Sequence, residues 1–154
     1  MRLSLILIAA LAVFMAPNFF RSGWDGTAEA EVTEAAGERP RLAAVMFRSS
    51  WCSACRIIEP RVEDVRADYE DAAIGWVKFD FTLGRRESLR ELAEAEGLTD
   101  IYSEAAGSTG FMLLIDRETG QVFEMITMDY GRDQIREALD RWLRVVERLE
   151  AEGV

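Results

Sequence analysis

No histidine occurs anywhere in the 154 residues. That absence removes Ser-His-Asp and Cys-His catalysis, histidine-ligated zinc and histidine-based pH sensing. Acid–base work near neutrality is left to cysteine, lysine or a carboxylate with a displaced pKa. Cysteine is nearly as scarce, with only Cys52 and Cys55. A structural zinc site normally draws four ligands from Cys and His, more than one chain can supply here. Redox work is the remaining common use of such a pair. Basic side chains are short as well: 18 Lys and Arg against 28 Asp and Glu leave a net charge of −10. Polyanions are repelled by that balance, so nucleic acid is not an expected partner. No flavin or nicotinamide fingerprint is present, and no cofactor or metal is expected.

What is present reads as one globular domain behind a leader. Apolar residues at 49% and charged residues at 30% exclude a disordered chain. Met1-Arg2 precedes an uncharged apolar run from Leu3 to Ala16, the plan of a secretory signal. Counting Phe19 and Phe20, the segment approaches the lower limit for a spanning helix. Residues 1–21 are therefore expected to be a signal peptide or an N-terminal membrane anchor. Either places the domain outside the cytoplasm. Residues 22–40, rich in Gly, Ala, Glu and Thr without apolar periodicity, are expected to be a flexible tether. The first thirty residues hold two arginines and two acids, so the negative charge belongs to the domain.

Within residues 41–150, strand and helix patterns alternate. The continuous apolar run 42–47 suits a strand covered on both faces. Residues 52–69 read as a helix, with Ile58, Val62, Val65 and Tyr69 on one face. Residues 75–81 read as a strand, with Trp76 and Lys78 on one side and Val77, Phe79 and Phe81 on the other. Residues 87–96 form a helix carrying Leu89, Leu92 and Ala93 inward, with Gly97 as its stop. Strands 111–115 and 121–128 flank a turn, Asp116 to Gly120, short enough for an antiparallel hairpin. A long amphipathic helix over 133–150 presents Ile135, Leu139, Trp142, Leu143, Val146 and Leu149 as a core stripe. The order predicts a mixed α/β sheet with helices on both faces.

The cysteines follow the first strand by the loop Arg48-Ser49-Ser50-Trp51 and are placed at a helix start. Unpaired N–H groups and a partial positive charge there favour a thiolate over a thiol. Unperturbed cysteine titrates near ~8.5, and catalytic cysteines at helix starts commonly fall to ~7 or lower. Such a drop corresponds to about 2 kcal/mol, with Cys55 or the charge of Arg48 or Arg56 as further contributors. Three residues along a helix bring both sulfurs to one face, so a disulfide can close and open without moving the backbone far. In the expected scheme an exposed Cys52 attacks a substrate disulfide, and a more buried Cys55 resolves the mixed disulfide.

The segment Trp51-Cys52-Ser53-Ala54-Cys55-Arg56-Ile57-Ile58-Glu59-Pro60 resembles thioredoxin's W-C-G-P-C-K-M-I-A-P. Val77 to Asp80 resembles that family's next strand. Phe111 to Gly120 resembles the F-L-I-D-R-x-G hairpin of exported, membrane-tethered thioredoxin-like reductases. The resemblance spans about residues 41–149. It implies a thioredoxin-like three-layer fold, with a mixed sheet of about four to five strands, and a thiol–disulfide oxidoreductase using Cys52 and Cys55. It also implies substrate contact by Trp51 and by Thr109 and Gly110, which stand where the family usually carries a cis-proline, so a trans or differently shaped link is expected there. Met46 occupies the place of the family's buried acid, which leaves Lys78 or a water to assist Cys55. Arg56 and Lys78 are thus supporting candidates, and Ser53-Ala54 departs from the family's usual central dipeptides. The expected partners are a protein thiol or disulfide and, for a reductase, a membrane electron donor. A monomer is expected. The alternative is a non-catalytic interaction or metal-carrier module on the same scaffold.

Overall fold

The computed structural model describes residues 39–83 and 86–153. The leader and most of the tether lie outside the described residues. Strand β1 (Leu42–Arg48) is central, and Leu42 through Phe47 are all buried. Such burial needs cover on both faces, which accounts for its unbroken apolar sequence. Strand β2 (Ile74–Asp80) pairs with it in parallel, Leu42 opposite Ile74 and Arg48 opposite Asp80. On the other side β3 (Phe111–Asp116) pairs antiparallel, Phe47 opposite Phe111, and β4 (Val122–Thr127) adds a second antiparallel strand. The order β2-β1-β3-β4 is the mixed sheet that the sequence pattern predicts.

Two helices cover each face. Against one lie α1 (Cys55–Arg66) and α4 (Arg132–Glu152), with Ile58, Val62 and Val65 meeting Ile135, Ala138 and Leu139 over Met46, Met112 and Leu114. Against the other lie α2 (Arg86–Ala95) and α3 (Thr99–Ala105). Phe47, Phe79, Phe111 and Tyr102 pack there with ring centroids 5.1 to 5.2 Å apart. Trp76 and Val77 fall on opposite faces as the strand period requires.

The helix α3 has no counterpart in the sequence reading. Seven residues with one adjacent buried pair, Ile101 and Tyr102, are too few for a 3.6-residue period to register. Gly97, expected as a stop, has φ +67°. Its N–H reaches Glu94 O at 3.2 Å and that of Leu98 reaches Ala93 O at 2.7 Å, the two bonds of a Schellman ending.

Two buried ion pairs close the end of the sheet away from the cysteines. Arg41 binds Asp116 through two 2.9 Å hydrogen bonds, and Arg117 reaches Glu96 at 2.8 Å. The cysteines lie at the opposite end of the sheet, where β1, β2 and β4 finish and β3 begins.

Candidate active site

Four loops meet at that end, and the loop after β1 carries the cysteines. Cys52 and Cys55 are joined as a disulfide with their Cα atoms 5.3 Å apart. The sequence reading starts the helix at Cys52, whereas α1 begins at Cys55 after a turn. The N-cap is Ala54, with no side-chain capping bond, and in the turn ahead of it stands Cys52. Its carbonyl accepts from the Arg56 N–H at 3.4 Å, and its Sγ accepts from the Cys55 N–H at 3.1 Å. The Cys52 sulfur thereby satisfies an otherwise orphan amide of the first turn. A donor aimed at Sγ favours a charged sulfur.

Accessibility divides the pair. Cys55 is 1% exposed, while Cys52 is half-buried rather than fully exposed. Trp51, next to Cys52, is 69% exposed, an aromatic surface left facing solvent beside the disulfide. Ile57, Leu83 and Met128 are also exposed, and they lie on the first turn of α1 and on the loops after β2 and β4.

Gly110 closes the other side of the disulfide. Its N–H donates to Phe47 O at 2.8 Å, continuing the β1–β3 ladder past Phe111. Its φ is +98°, and a Cβ there would stand 2.8 Å from Ala54 Cβ and 3.2 Å from Cys52 Sγ. Only glycine fits such a backbone at such a distance. No cis peptide bond occurs among the described residues. Thr109, half-buried, leads into this contact. Trp51, Thr109 and Gly110 are thus brought to the same rim as the cysteines.

Arg56 and Lys78 line an open cleft of about 500 Å³ with Glu59, Pro60 and Glu63. Lys78 is engaged by Glu63 at 2.6 Å and Glu59 at 3.5 Å. Arg48 is paired with Glu59 at 3.0 Å and with Asp80, so its charge is already matched and cannot be counted toward the sulfur. Asp80 feels opposing influences: burial pushes its pKa up, but hydrogen bonds from Thr82 and Arg48 hold it below the usual carboxylate range. Thr82 Oγ1 in turn accepts from the Ser50 N–H at 2.9 Å. A chain of contacts from β2 thereby pins the loop that presents Trp51 and Cys52. Met46 is buried in the α1–α4 core, leaving no acid on β1 beneath the pair. The sequence reading missed Glu59, whose significance comes from partners on β1 and β2.

The α/β architecture and the Cys-x-x-C disulfide at the mouth of α1 are consistent with the thioredoxin superfamily. No family model matches the chain, and a search of the curated proteins finds no match. Solved structures similar to the chain include the following two. A solution structure provisionally described as a protein disulfide isomerase of Bacteroides thetaiotaomicron is 20% identical over 75% of this chain and 79% of that one, with a TM-score of 0.47. The crystal structure of StoA from Bacillus subtilis is 14% identical over 65% of this chain and 83% of that one, with a TM-score of 0.46.

Proposed function

We propose that the protein is a thiol–disulfide oxidoreductase that reduces disulfides of exported proteins through Cys52 and Cys55. The observation that carries this reading is the hydrogen bond from the Cys55 N–H to Cys52 Sγ at the start of α1, with Cys55 buried behind it. When the pair is reduced, the same N–H and the helix end favour a Cys52 thiolate by about 2 kcal/mol. That thiolate attacks one sulfur of a substrate disulfide, forming a mixed disulfide and releasing the other sulfur as a thiolate that takes up a proton. Cys55 then loses its proton and attacks Cys52 Sγ. The intramolecular disulfide forms, the second substrate thiol leaves, and two electrons have passed to the substrate. An external dithiol donor must reduce the pair again.

Trp51, exposed next to Cys52, together with Ile57 exposed on the first turn of α1 and Met128 exposed on the turn after β4, supports a polypeptide substrate rather than a small polar one. Thr109 and Gly110 form the facing side of that rim. The Arg2-led apolar run of residues 3–16 supports export to the periplasm, as a cleaved signal or as an inner-membrane anchor. Reduction as the direction rests on the resemblance of the hairpin to tethered reductases, and it requires a membrane electron donor. Among the described residues no helix is long and apolar enough to cross a membrane.

Reduction of insulin by the purified protein with dithiothreitol tests the reading. Wild-type protein should accelerate precipitation of the insulin chains, Cys52→Ser should abolish the effect, and Cys55→Ser should accumulate a Cys52-linked adduct. Wild-type rates from Cys52→Ser would refute the scheme.

A further inference from the structure

The turn after β4 is tied to the cysteine helix by one side chain. Arg61, six residues after Cys55 on α1, uses Nη1 to donate to Met128 O and to Tyr130 O, both at 2.8 Å. The turn closes on itself through Tyr130 N–H to Thr127 O at 3.1 Å. Thr127, the last residue of β4, pairs with Phe111, so the turn that opens at Met128 leaves the sheet at the end where Gly110 leads into β3. Gly110 in turn lies against Cys52 Sγ and Ala54. Met128, 44% exposed, is therefore an apolar side chain one strand removed from the disulfide, and Arg61 sets where its backbone stands.

We propose that Arg61 is a positioning residue for polypeptide substrates: by holding the Met128–Tyr130 carbonyls it places Met128 as a wall of the groove beside Cys52. The occupant is a disulfide-bearing chain with an apolar residue next to its cysteine, and this rests on the oxidoreductase reading above. A guanidinium suits the task because one nitrogen carries two hydrogens and can serve two carbonyls at once. The role is separate from holding α1 to α4. Arg132 with Asp64 at 2.5 Å, Arg136 with Asp68 at 2.8 Å, Tyr69 with Asp140 at 2.6 Å and the apolar seam of Ile58, Val62 and Leu139 all remain without it.

The test compares two substrates, insulin and hydroxyethyl disulfide, across Arg61→Met, Arg61→Lys, Met128→Ser and the Arg61→Met/Met128→Ser pair. Arg61→Met should raise the KM for insulin about tenfold, the size of one charge-assisted hydrogen bond, with kcat unchanged. Turnover of hydroxyethyl disulfide, too small to reach Met128, should not change. Met128→Ser should likewise raise the insulin KM, the double variant should be no worse than the worse single one, and Arg61→Lys should recover most of the loss. An unchanged insulin KM in a folded Arg61→Met protein would overturn the proposal, as would equal slowing of both substrates or additive losses in the double variant. Wild-type protein inert toward both substrates would overturn the oxidoreductase reading, and this proposal with it.

Discussion

Replacing Gly110 with alanine perturbs backbone and site together, and the two costs can be separated. The residue sits at φ +98°, which costs a residue with a Cβ about 1–2 kcal/mol. The added methyl would also stand 2.8 Å from Ala54 Cβ and 3.2 Å from Cys52 Sγ. Neither neighbour is the far end of a flexible side chain, so the conflict adds about 1–3 kcal/mol, as overpacking does in a close-packed interior. The sum, about 2–5 kcal/mol, corresponds to a fall in Tm of roughly 10–25 °C for a domain of about 110 residues. Gly107 provides the control: its φ is +90° and nothing lies within 4 Å of its would-be Cβ. Gly107→Ala should show the backbone cost alone. Urea unfolding of both variants in the oxidised state measures the difference, and a thiol-exchange assay should show only Gly110→Ala impaired. Equal stability losses in the two variants would refute the contact between residue 110 and the disulfide.

Acid unfolding follows from three carboxylates. Asp116 is held below the usual range chiefly by its hydrogen bonds from Arg41. Burial pushes Glu124 up, but hydrogen bonds from Trp142, Arg141 and Tyr130 outweigh it and hold the carboxyl below its ordinary value, and Asp80 behaves similarly through Thr82 and Arg48. With folded pKa values below the unfolded ones, their stabilisation is complete above pH about 4 and is lost as pH falls through the folded values. The urea midpoint should therefore drop below pH about 4, less steeply in Glu124→Gln, and a midpoint insensitive to acid would contradict this. Burial, then the hydrogen bond to Asp140, pushes Tyr69 up to about 12. Tyr69→Phe should remove the most alkaline phase of tyrosinate absorbance, and an unchanged titration would count against the contact. Gly75→Ala should be destabilising, because its Cβ would lie 2.6 Å from Arg117 Nη2, a group already bound to Glu96. Wild-type stability would show that Arg117 moves aside freely.

The parts of the fold legible in sequence are those whose periodicity answers to burial on a whole face. The run of β1, the alternation of Trp76, Val77 and Lys78, and the α4 stripe through Ile135, Leu139 and Val146 all reappear in the packed core. Trp51 stands beside the cysteines by adjacency alone, whereas Gly110 is pointed to only by the resemblance to thioredoxin's motifs. What escaped notice depends on contacts between distant positions. Arg61 matters through carbonyls 67 and 69 residues away, and a carbonyl has no residue type to announce it. Glu124 collects Trp142, Arg141 and Tyr130 across 6 to 18 positions, where the chain shows only one acid on an edge strand. Cys52 reads as a helical residue because its spacing to Cys55 is helical, yet it lies ahead of the helix and only lends its sulfur to the Cys55 N–H.

The most direct measurement is the rate of iodoacetamide alkylation of each cysteine in the reduced, folded protein as pH is raised. Cys52 should react first, with its thiolate appearing below the ~8.5 of an unperturbed cysteine, while Cys55 stays protected. Alkylation of both sulfurs only at alkaline pH, or of Cys55 before Cys52, would contradict the account.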